Sequence, residues 1–194
     1  MKHKIGILGA GTWGMALARM LTVSGNDVQV WSAIEAEVDN LSTTRVHPNL
    51  PGMKIPEELQ FTKSIEEVCT GKDVLLFAVP SVFVRSTTAK ARPYIPDGQI
   101  LVDVAKGMEP DTLYTMTEVI ADELKAGIVD KARAQMAQTL QQDLDRLEAL
   151  KAVNPNVRDS ELDYLRNLQA ELHHLIDQTQ LKLDAIRFIV VTHN

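Results

Sequence analysis

A short apolar strand that runs directly into a glycine-rich turn is the feature that most constrains the fold of this chain. The stretch Lys4–Leu8 is followed by Gly9-Ala10-Gly11-Thr12-Trp13-Gly14 and then by a segment rich in alanine and leucine. Strand, G-x-G-x-x-G and helix in this order form the dinucleotide-binding fingerprint in its proper context. The sequence therefore predicts a nucleotide-binding unit near residue 10.

The three glycines of this turn are expected to have separate tasks. Gly9 permits the tight turn out of the strand, Gly11 lets the backbone approach a pyrophosphate, and Gly14 lets the helix pack closely on the strand. Free backbone N–H groups and the positive end of the helix dipole would then hold the phosphates. The alternative is a glycine-rich turn in an ordinary α/β domain, but the flanking strands and helix favour dinucleotide binding.

The first 125 residues alternate between patterns typical of strands and of helices. Apolar runs predict strands at Ile5–Leu8, Val28–Trp31, Leu59–Thr62, Val74–Val79 and Ile100–Val104. Helices are predicted at Thr12–Ser24, Glu35–Leu41, Ser64–Cys69 and Val82–Ala91, with an irregular, proline-containing loop at 43–57. This alternation indicates an α/β fold with a Rossmann-like, doubly wound parallel sheet.

The remainder of the chain has a different character. All ten glycines lie between Gly6 and Gly127, whereas seven of the ten glutamines follow residue 130. We therefore predict a dinucleotide-binding domain at 1–125 and a helical domain at 126–194. A helix that begins near Asp111 is expected to run through this boundary.

Leucine spacing in the second domain predicts two amphipathic helices. Apolar residues recur every three or four positions in Met136–Leu150 and in Leu162–Leu175. Helices of this kind can bury their apolar stripes on each other as an antiparallel hairpin with coiled-coil character. The expected helices are Lys131–Ala152 and Ser160–Ala185.

The ends of the hairpin carry their own local patterns. Pro155 separates the two helices, and Asp159 or Ser160 can cap the second one. The β-branched segment Ile186–Thr192 predicts a short terminal strand that could join the sheet.

Bulk composition argues against several functional classes. The net charge of −6 over 194 residues disfavours a general nucleic-acid partner, and no apolar run reaches the ~18 residues of a membrane span. Cys69 is the only cysteine, so no internal disulfide can form and a reducing cytoplasm is the expected compartment. The histidines are not spaced as metal ligands, and no metal site is predicted.

Four motifs in order carry a resemblance to a known family. They are the loop Gly9–Gly14, Asn49-Leu50-Pro51-Gly52, Val79-Pro80-Ser81 with Arg85 downstream, and Ala105-Lys106-Gly107-Met108-Glu109. Together they make residues 1–124 resemble the N-terminal domain of bacterial NAD(P)-dependent glycerol-3-phosphate dehydrogenase.

This resemblance implies NAD or NADP as the cofactor and glycerol 3-phosphate or dihydroxyacetone phosphate as the substrate of the parent enzyme. Lys106 would contact both cofactor and substrate, because its ammonium can neutralise the substrate phosphate. The alternative for Lys106 is a solvated loop lysine. The other candidate cofactor contacts are Gly9, Gly11, Thr12, Trp13, Gly14, Ser32 and Pro80.

The end of the second predicted strand leaves the choice between NAD and NADP open. An NAD site usually carries Asp or Glu there, and an NADP site carries Arg nearby. Here the strand ends Trp31-Ser32-Ala33, and Glu35, the first acid, is expected to be too far along. Many family members carry Arg or His at the position of Ala33, so this departure puts an NADP preference in doubt.

The resemblance also implies what this sequence does not contain. The family continues with further strands and an all-helical substrate domain that supplies the catalytic lysine. Hydride transfer needs the substrate carbon fixed against the nicotinamide and an acid or base at its oxygen. Lys106 alone cannot supply both, so we expect a binding-competent half-site with no complete catalytic set.

The carboxyl-terminal segment carries a second resemblance. The stretches Leu150–Arg158 and Leu183–His193 make residues 147–194 similar to the C-terminal end of a bacterial RNA polymerase-associated ATPase of the Swi/Snf class. No G-x-x-x-x-G-K-[ST] loop is present, so ATP hydrolysis is not implied. Two families in one chain predict a fusion joined near Lys125–Lys131. The alternative function is therefore a hairpin interaction module on a Rossmann scaffold, with a homodimer through the hairpin as one expected assembly.

Overall fold

The computed structural model describes residues 2–154 and 158–177. Contacts along the chain divide it between Leu124 and Lys125 into two compact units. The predicted terminal strand at Ile186–Thr192 and the predicted break at Pro155 lie outside the described residues.

The first unit is built on a five-stranded parallel sheet. Its strands are β1 (Lys4–Leu8), β2 (Asp27–Trp31), β3 (Gln60–Thr62), β4 (Val74–Phe77) and β5 (Ile100–Asp103), in the spatial order β3-β2-β1-β4-β5. The chain winds outward from β1 to β3 and then returns to build β4 and β5 on the other side. The predicted Rossmann-like, doubly wound sheet is confirmed, and its topological switch point lies between β1 and β4.

Helices connect these strands. They are α1 (Thr12–Val23), α2 (Glu35–Thr44), α3 (Ile65–Cys69) and α4 (Val84–Ala91), followed by α5 (Met116–Val153) and α6 (Asp159–Asp177). Short 3-10 turns at Ser81–Phe83 and Arg92–Tyr94 flank α4. The predicted helix start near Asp111 was wrong by several residues, because the chain first makes an antiparallel bridge between Met108 and Thr115.

The alternation of side chains along the central strands produces two apolar clusters. On β4, Leu75 and Phe77 belong to one cluster, and Leu76 belongs to the other. Successive side chains of a strand point to opposite faces, so both faces of β4 are covered. This explains why the predicted strand at residues 74–79 is almost continuously apolar.

Glycines allow backbones to approach each other where the helices begin or cross the sheet. A Cβ atom on Gly6 of β1 would collide with the carbonyl oxygen of Val68 in α3, and one on Gly14 of α1 would collide with the carbonyl oxygen of Gly9. Gly9 itself has a φ of +118° and lies against the backbone of Ala78. These contacts set the distance between the sheet and its helices.

The second unit contains most of α5 and all of the described α6. Leu140, Leu144 and Leu162 are buried, whereas Leu150 and Leu175, which the leucine stripes also included, are exposed. Arg166 of α6 pairs with Glu148 of α5 at 3.4 Å, and Lys151 pairs with Asp159. These pairs connect the last turns of α5 to the first half of α6.

We predict that Gly6→Ala destabilises the first unit strongly, whereas Gly11→Ala does not. Overpacking against a backbone carbonyl costs about 2–3 kcal/mol, but a Cβ atom on Gly11, whose φ is −64°, meets nothing within 4 Å. Both tryptophans, Trp13 and Trp31, lie in this unit, so urea unfolding followed by tryptophan fluorescence reports on it. Equal unfolding midpoints for the two variants would contradict the packing role of Gly6.

Candidate functional site

A cleft of about 490 Å³ opens at the carboxyl ends of the central strands. Three segments line it: the start of α1 (Gly11–Trp13), the loop after β4 (Ala78–Ser81) and the loop after β5 (Val104–Lys106). This edge of a doubly wound sheet, at its switch point, is where such folds bind ligands. The cleft therefore brings together candidate residues from the cofactor loop with Pro80 and Lys106.

The floor of the cleft is the amino end of α1, where backbone donors are unpaired. Gly11 is the N-cap residue with extended backbone, and no side chain caps the helix. The first intrahelical bond runs from the Met15 N–H to the Gly11 carbonyl oxygen at 2.9 Å. Among the described residues, no acceptor bonds the N–H groups of Gly11 to Gly14. Unpaired donors at the positive end of a helix are suited to bind phosphate.

A buried histidine holds the loop that leads into these donors. The Nε2 atom of His47 lies 3.1 Å from the Ala10 carbonyl oxygen, and the Asn49 N–H donates to Nδ1 at 3.2 Å. Because Nδ1 accepts, the proton is placed on Nε2, which then donates to Ala10. In a trans peptide the next N–H points opposite to the carbonyl, so this bond turns the N–H of Gly11 away from His47.

The histidine was missed as a site residue by sequence reasoning, which weighed it only as a metal ligand. Its partner is 37 positions away in the sequence, and nothing in the local pattern around His47 indicates that contact. Among the described residues, no group of three or more His, Cys, Asp or Glu side chains could hold a metal ion.

The end of β2 lies directly beside the glycine loop. The Gly9 N–H donates to the Trp31 carbonyl oxygen at 2.8 Å. Ser32, the next residue, is buried and donates from its hydroxyl to Glu37 Oε2 at 2.5 Å. Ser32 is therefore close to the loop but is not among the residues that line the cleft at α1. Glu35, the acid considered from the sequence, instead faces Lys63 at 3.6 Å.

The loop with Lys106 approaches the other wall of the cleft. Gly107 has a φ of +121°, and a Cβ atom there would lie 3.6 Å from Ser81. Lys106 is exposed at the rim. Just before it, Asp103 accepts a bond from the Ala105 N–H at 2.9 Å, and its burial raises the pKa of that carboxyl.

An arginine on α4 anchors the chain that follows Lys106. Arg85 donates from Nε and Nη2 to the two carboxylate oxygens of Glu109, each at 2.7 Å, and from Nη1 to Asp122 and Glu123, each at 2.9 Å. The bonds from Arg85, followed by one from Thr112, lower the pKa of Glu109 to about 2. A bidentate pair of this kind fixes orientation as well as distance, so the loop is held against α4 and the first turns of α5.

The thiol of Cys69 is poorly suited to act as a nucleophile. Burial raises the pKa of the Cys69 thiol to about 11, which leaves little thiolate at neutral pH.

None of the described helices combines the length and the apolar character that crossing a bilayer requires.

Comparison with known proteins gives two family matches. The family described as the N-terminus of NAD-dependent glycerol-3-phosphate dehydrogenase matches residues 4–143, and the family described as the C-terminal part of an RNA polymerase recycling family matches residues 102–191. Residues 102–143 lie in both matches.

Individual relatives match part of the chain. A protein of Lactobacillus delbrueckii subsp. bulgaricus named glycerol-3-phosphate dehydrogenase [NAD(P)+] 2 is 70% identical over 121 residues, and one of Agathobacter rectalis named glycerol-3-phosphate dehydrogenase [NAD(P)+] is 45% identical over 122. Each match covers 62% of this chain and 36% of the relative. The chain thus spans little more than a third of the length of these relatives.

A solved structure agrees with these sequence matches. The crystal structure of glycerol-3-phosphate dehydrogenase from Coxiella burnetii aligns with a TM-score of 0.60 and 32% identity, covering 63% of this chain and 38% of the solved one. The first family match extends over well more than half of the 194 residues. The chain therefore belongs to the family of NAD-dependent glycerol-3-phosphate dehydrogenase N-terminal domains.

Proposed function

We propose that this chain is the nicotinamide-dinucleotide-binding part of a glycerol-3-phosphate dehydrogenase and binds NAD or NADP in the cleft at the start of α1. The observation that carries the proposal is the set of unpaired N–H groups from Gly11 to Gly14 at the start of α1, where Gly11, Thr12 and Trp13 line the cleft. The names of the relatives, which specify NAD(P)+, support the same cofactor class.

The proposed contacts follow the walls of the cleft. The backbone of Gly9, Gly11 and Gly14 would surround the pyrophosphate. Thr12 and Trp13 would cover one side of the dinucleotide, and Pro80 would form the edge near the nicotinamide. Ser32, at the end of β2, would lie near the adenosine ribose.

Lys106 is the proposed substrate contact. Its place in the lining of the cleft, which Gly11 also lines, would allow an ammonium to face both the cofactor and a phosphorylated three-carbon substrate. An ammonium on a flexible stem suits a phosphate as a point charge.

The chain alone is proposed to bind the cofactor without turnover. Bound NADH supplies a hydride, but the transfer also requires a substrate carbon held in line and an acid at its oxygen. Lys106 is the one ionisable side chain among the residues that line the described cleft. The relatives are nearly three times longer than the matched region, and their additional length is the proposed source of the missing groups.

A second candidate function rests on the other family match. Residues 102–191 match the C-terminal part of an RNA polymerase recycling family, which supports a hairpin interaction module at 126–194, separate from a dinucleotide domain at 1–125. A fusion joined near Lys125–Lys131 would account for both matches. Self-association through the hairpin is part of this candidate. For either function we propose that the chain acts in the cytoplasm, because it has a single cysteine. We propose no nucleic-acid partner, because the net charge is −6, and no membrane partner.

We predict that the purified chain binds NADH and that Gly11→Ala weakens this binding at least about 10-fold, which corresponds to ~1.4 kcal/mol. A methyl group at Gly11 would occupy open space on the cleft floor, where the pyrophosphate must approach. Titration followed by NADH fluorescence measures both dissociation constants, and Gln138→Ala, at an exposed position of α5 outside the cleft lining, is the control.

Two outcomes of this titration would count against the first candidate. Equal NADH dissociation constants for the wild type and Gly11→Ala would show that NADH does not bind in this cleft. No NADH binding by the wild type, together with binding of the chain to purified RNA polymerase, would favour the hairpin module instead.

We also predict that the purified chain does not oxidise NADH with dihydroxyacetone phosphate, because Lys106 alone cannot both hold the substrate phosphate and protonate its carbonyl oxygen. Absorbance at the nicotinamide band over hours, with full-length glycerol-3-phosphate dehydrogenase as the positive control, tests this. Turnover that depends on substrate and disappears in Lys106→Met would show that the half-site is already an enzyme.

A further inference from the structure

The carboxylate of Glu37 reaches back from α2 to the end of β2. The Ser32 hydroxyl donates to Glu37 Oε2 at 2.5 Å and accepts a bond from the Ile34 N–H at 3.1 Å. Ser32 is only 6% exposed, so its hydroxyl has few other orientations. The serine thus holds one carboxylate oxygen of Glu37 in place.

The end of β2, which Ser32 follows, lies beside the glycine loop although the two segments are distant in sequence. Trp31, the residue before Ser32, accepts the Gly9 N–H at 2.8 Å and is paired in register with Leu8 of β1. In a doubly wound dinucleotide site, the adenosine ribose lies at the end of the second strand. If the cofactor binds as proposed above, its ribose will therefore lie near Ser32 and Glu37.

We propose that Glu37 makes this site select NAD over NADP; the inference rests on the proposed dinucleotide function. Among the described residues, nothing donates a hydrogen bond to the second oxygen of Glu37, Oε1. A carboxylate oxygen with a free lone pair accepts a bond from the 2′-hydroxyl of NAD. The 2′-phosphate of NADP, with about −1.5 to −2 charges at neutral pH, would instead be repelled.

Two basic side chains, those of Lys63 and Arg45, are bonded to other groups. Lys63 is held by Asp39 at 2.8 Å and by Glu35 at 3.6 Å. Arg45 donates to the carbonyl oxygens of Leu59 and Pro56 and lies over the ring of Phe61.

The exposed residues that follow Ser32 add no charge. Ala33 and Ile34 are uncharged and exposed, so neither could neutralise a phosphate. The Glu37 carboxylate is therefore the charge that is bonded to Ser32, while Lys63 and Arg45 have other partners.

The test is a comparison of NADH and NADPH dissociation constants for the purified chain and three variants. For the wild type we expect NADH to bind at least about 10-fold more tightly than NADPH, as expected for like charges a few ångströms apart near a protein surface. Glu37→Gln keeps an acceptor for Ser32 and removes the charge. It should weaken NADH binding and strengthen NADPH binding, so that the ratio of the NADPH to the NADH dissociation constant falls to about threefold or less.

A matched control separates Glu37 from the general acidity of α2. Glu35→Gln makes the same change in charge two residues away, on a side chain that faces Lys63, and should leave the ratio nearly unchanged. Ala33→Arg supplies a cation at an exposed position, without disturbing Ser32, and should shift the ratio toward NADPH even if Glu37→Gln fails to fold.

The outcomes distinguish this inference from the proposed function. Equal binding of NADH and NADPH by the wild type, or equal effects of Glu35→Gln and Glu37→Gln, would overturn the assignment of Glu37 while leaving dinucleotide binding intact. Binding of neither nucleotide would contradict the proposed function itself.

Discussion

The close approach of two backbone segments at Gly9 and Gly14 is the constraint on which the site depends. A Cβ atom on Gly14 would collide with the Gly9 carbonyl oxygen, and a Cβ atom on Gly9 would lie 2.8 Å from the Ala78 carbonyl oxygen. Without side chains at both positions, α1 begins directly at the end of β1. Its unpaired N–H groups then face the cleft between β1 and β4, where a parallel sheet reverses its winding.

Three polar contacts add to the constraint that the glycines impose. His47 orients the Ala10 carbonyl from one side, and Ser32 holds Glu37 at the end of β2 on another. Arg85 fixes the chain after Lys106 through its bidentate pair with Glu109. The contacts of His47 and Arg85 connect segments that are far apart in sequence, so the conformation of the cleft lining depends on a few hydrogen bonds as well as on the sheet.

The sheet and the cofactor loop were largely predictable from sequence, because strand periodicity and the glycine spacing are local patterns. The ends of the strands were less predictable from sequence. Val79 and Val104 continue apolar runs, but they lie beyond β4 and β5, in loops that line the cleft. Apolar character alone cannot distinguish a strand residue from a buried loop residue. The helix through Gly127 was expected, and a single glycine in a long helix costs only about 1 kcal/mol.

The residues that refine the site could not be found in this way. Glu35 was weighed as the acid nearest to β2, but the first turn of α2 points it toward Lys63 and brings Glu37 back to Ser32. His47 and Glu109 have partners 37 and 24 positions away. Such contacts depend on loop conformations that no short pattern encodes.

The most direct test of the account is a map of the backbone amides that respond to NADH. In ¹H–¹⁵N correlation spectra of the 194-residue chain, NADH should shift the amide signals of Gly11, Thr12, Trp13 and Gly14 most strongly, because these N–H groups would gain phosphate acceptors. Amides of the second unit, such as those of Leu140 and Leu162, should not move. Saturable binding that leaves the signals from Gly11 to Gly14 unchanged would contradict the central claim.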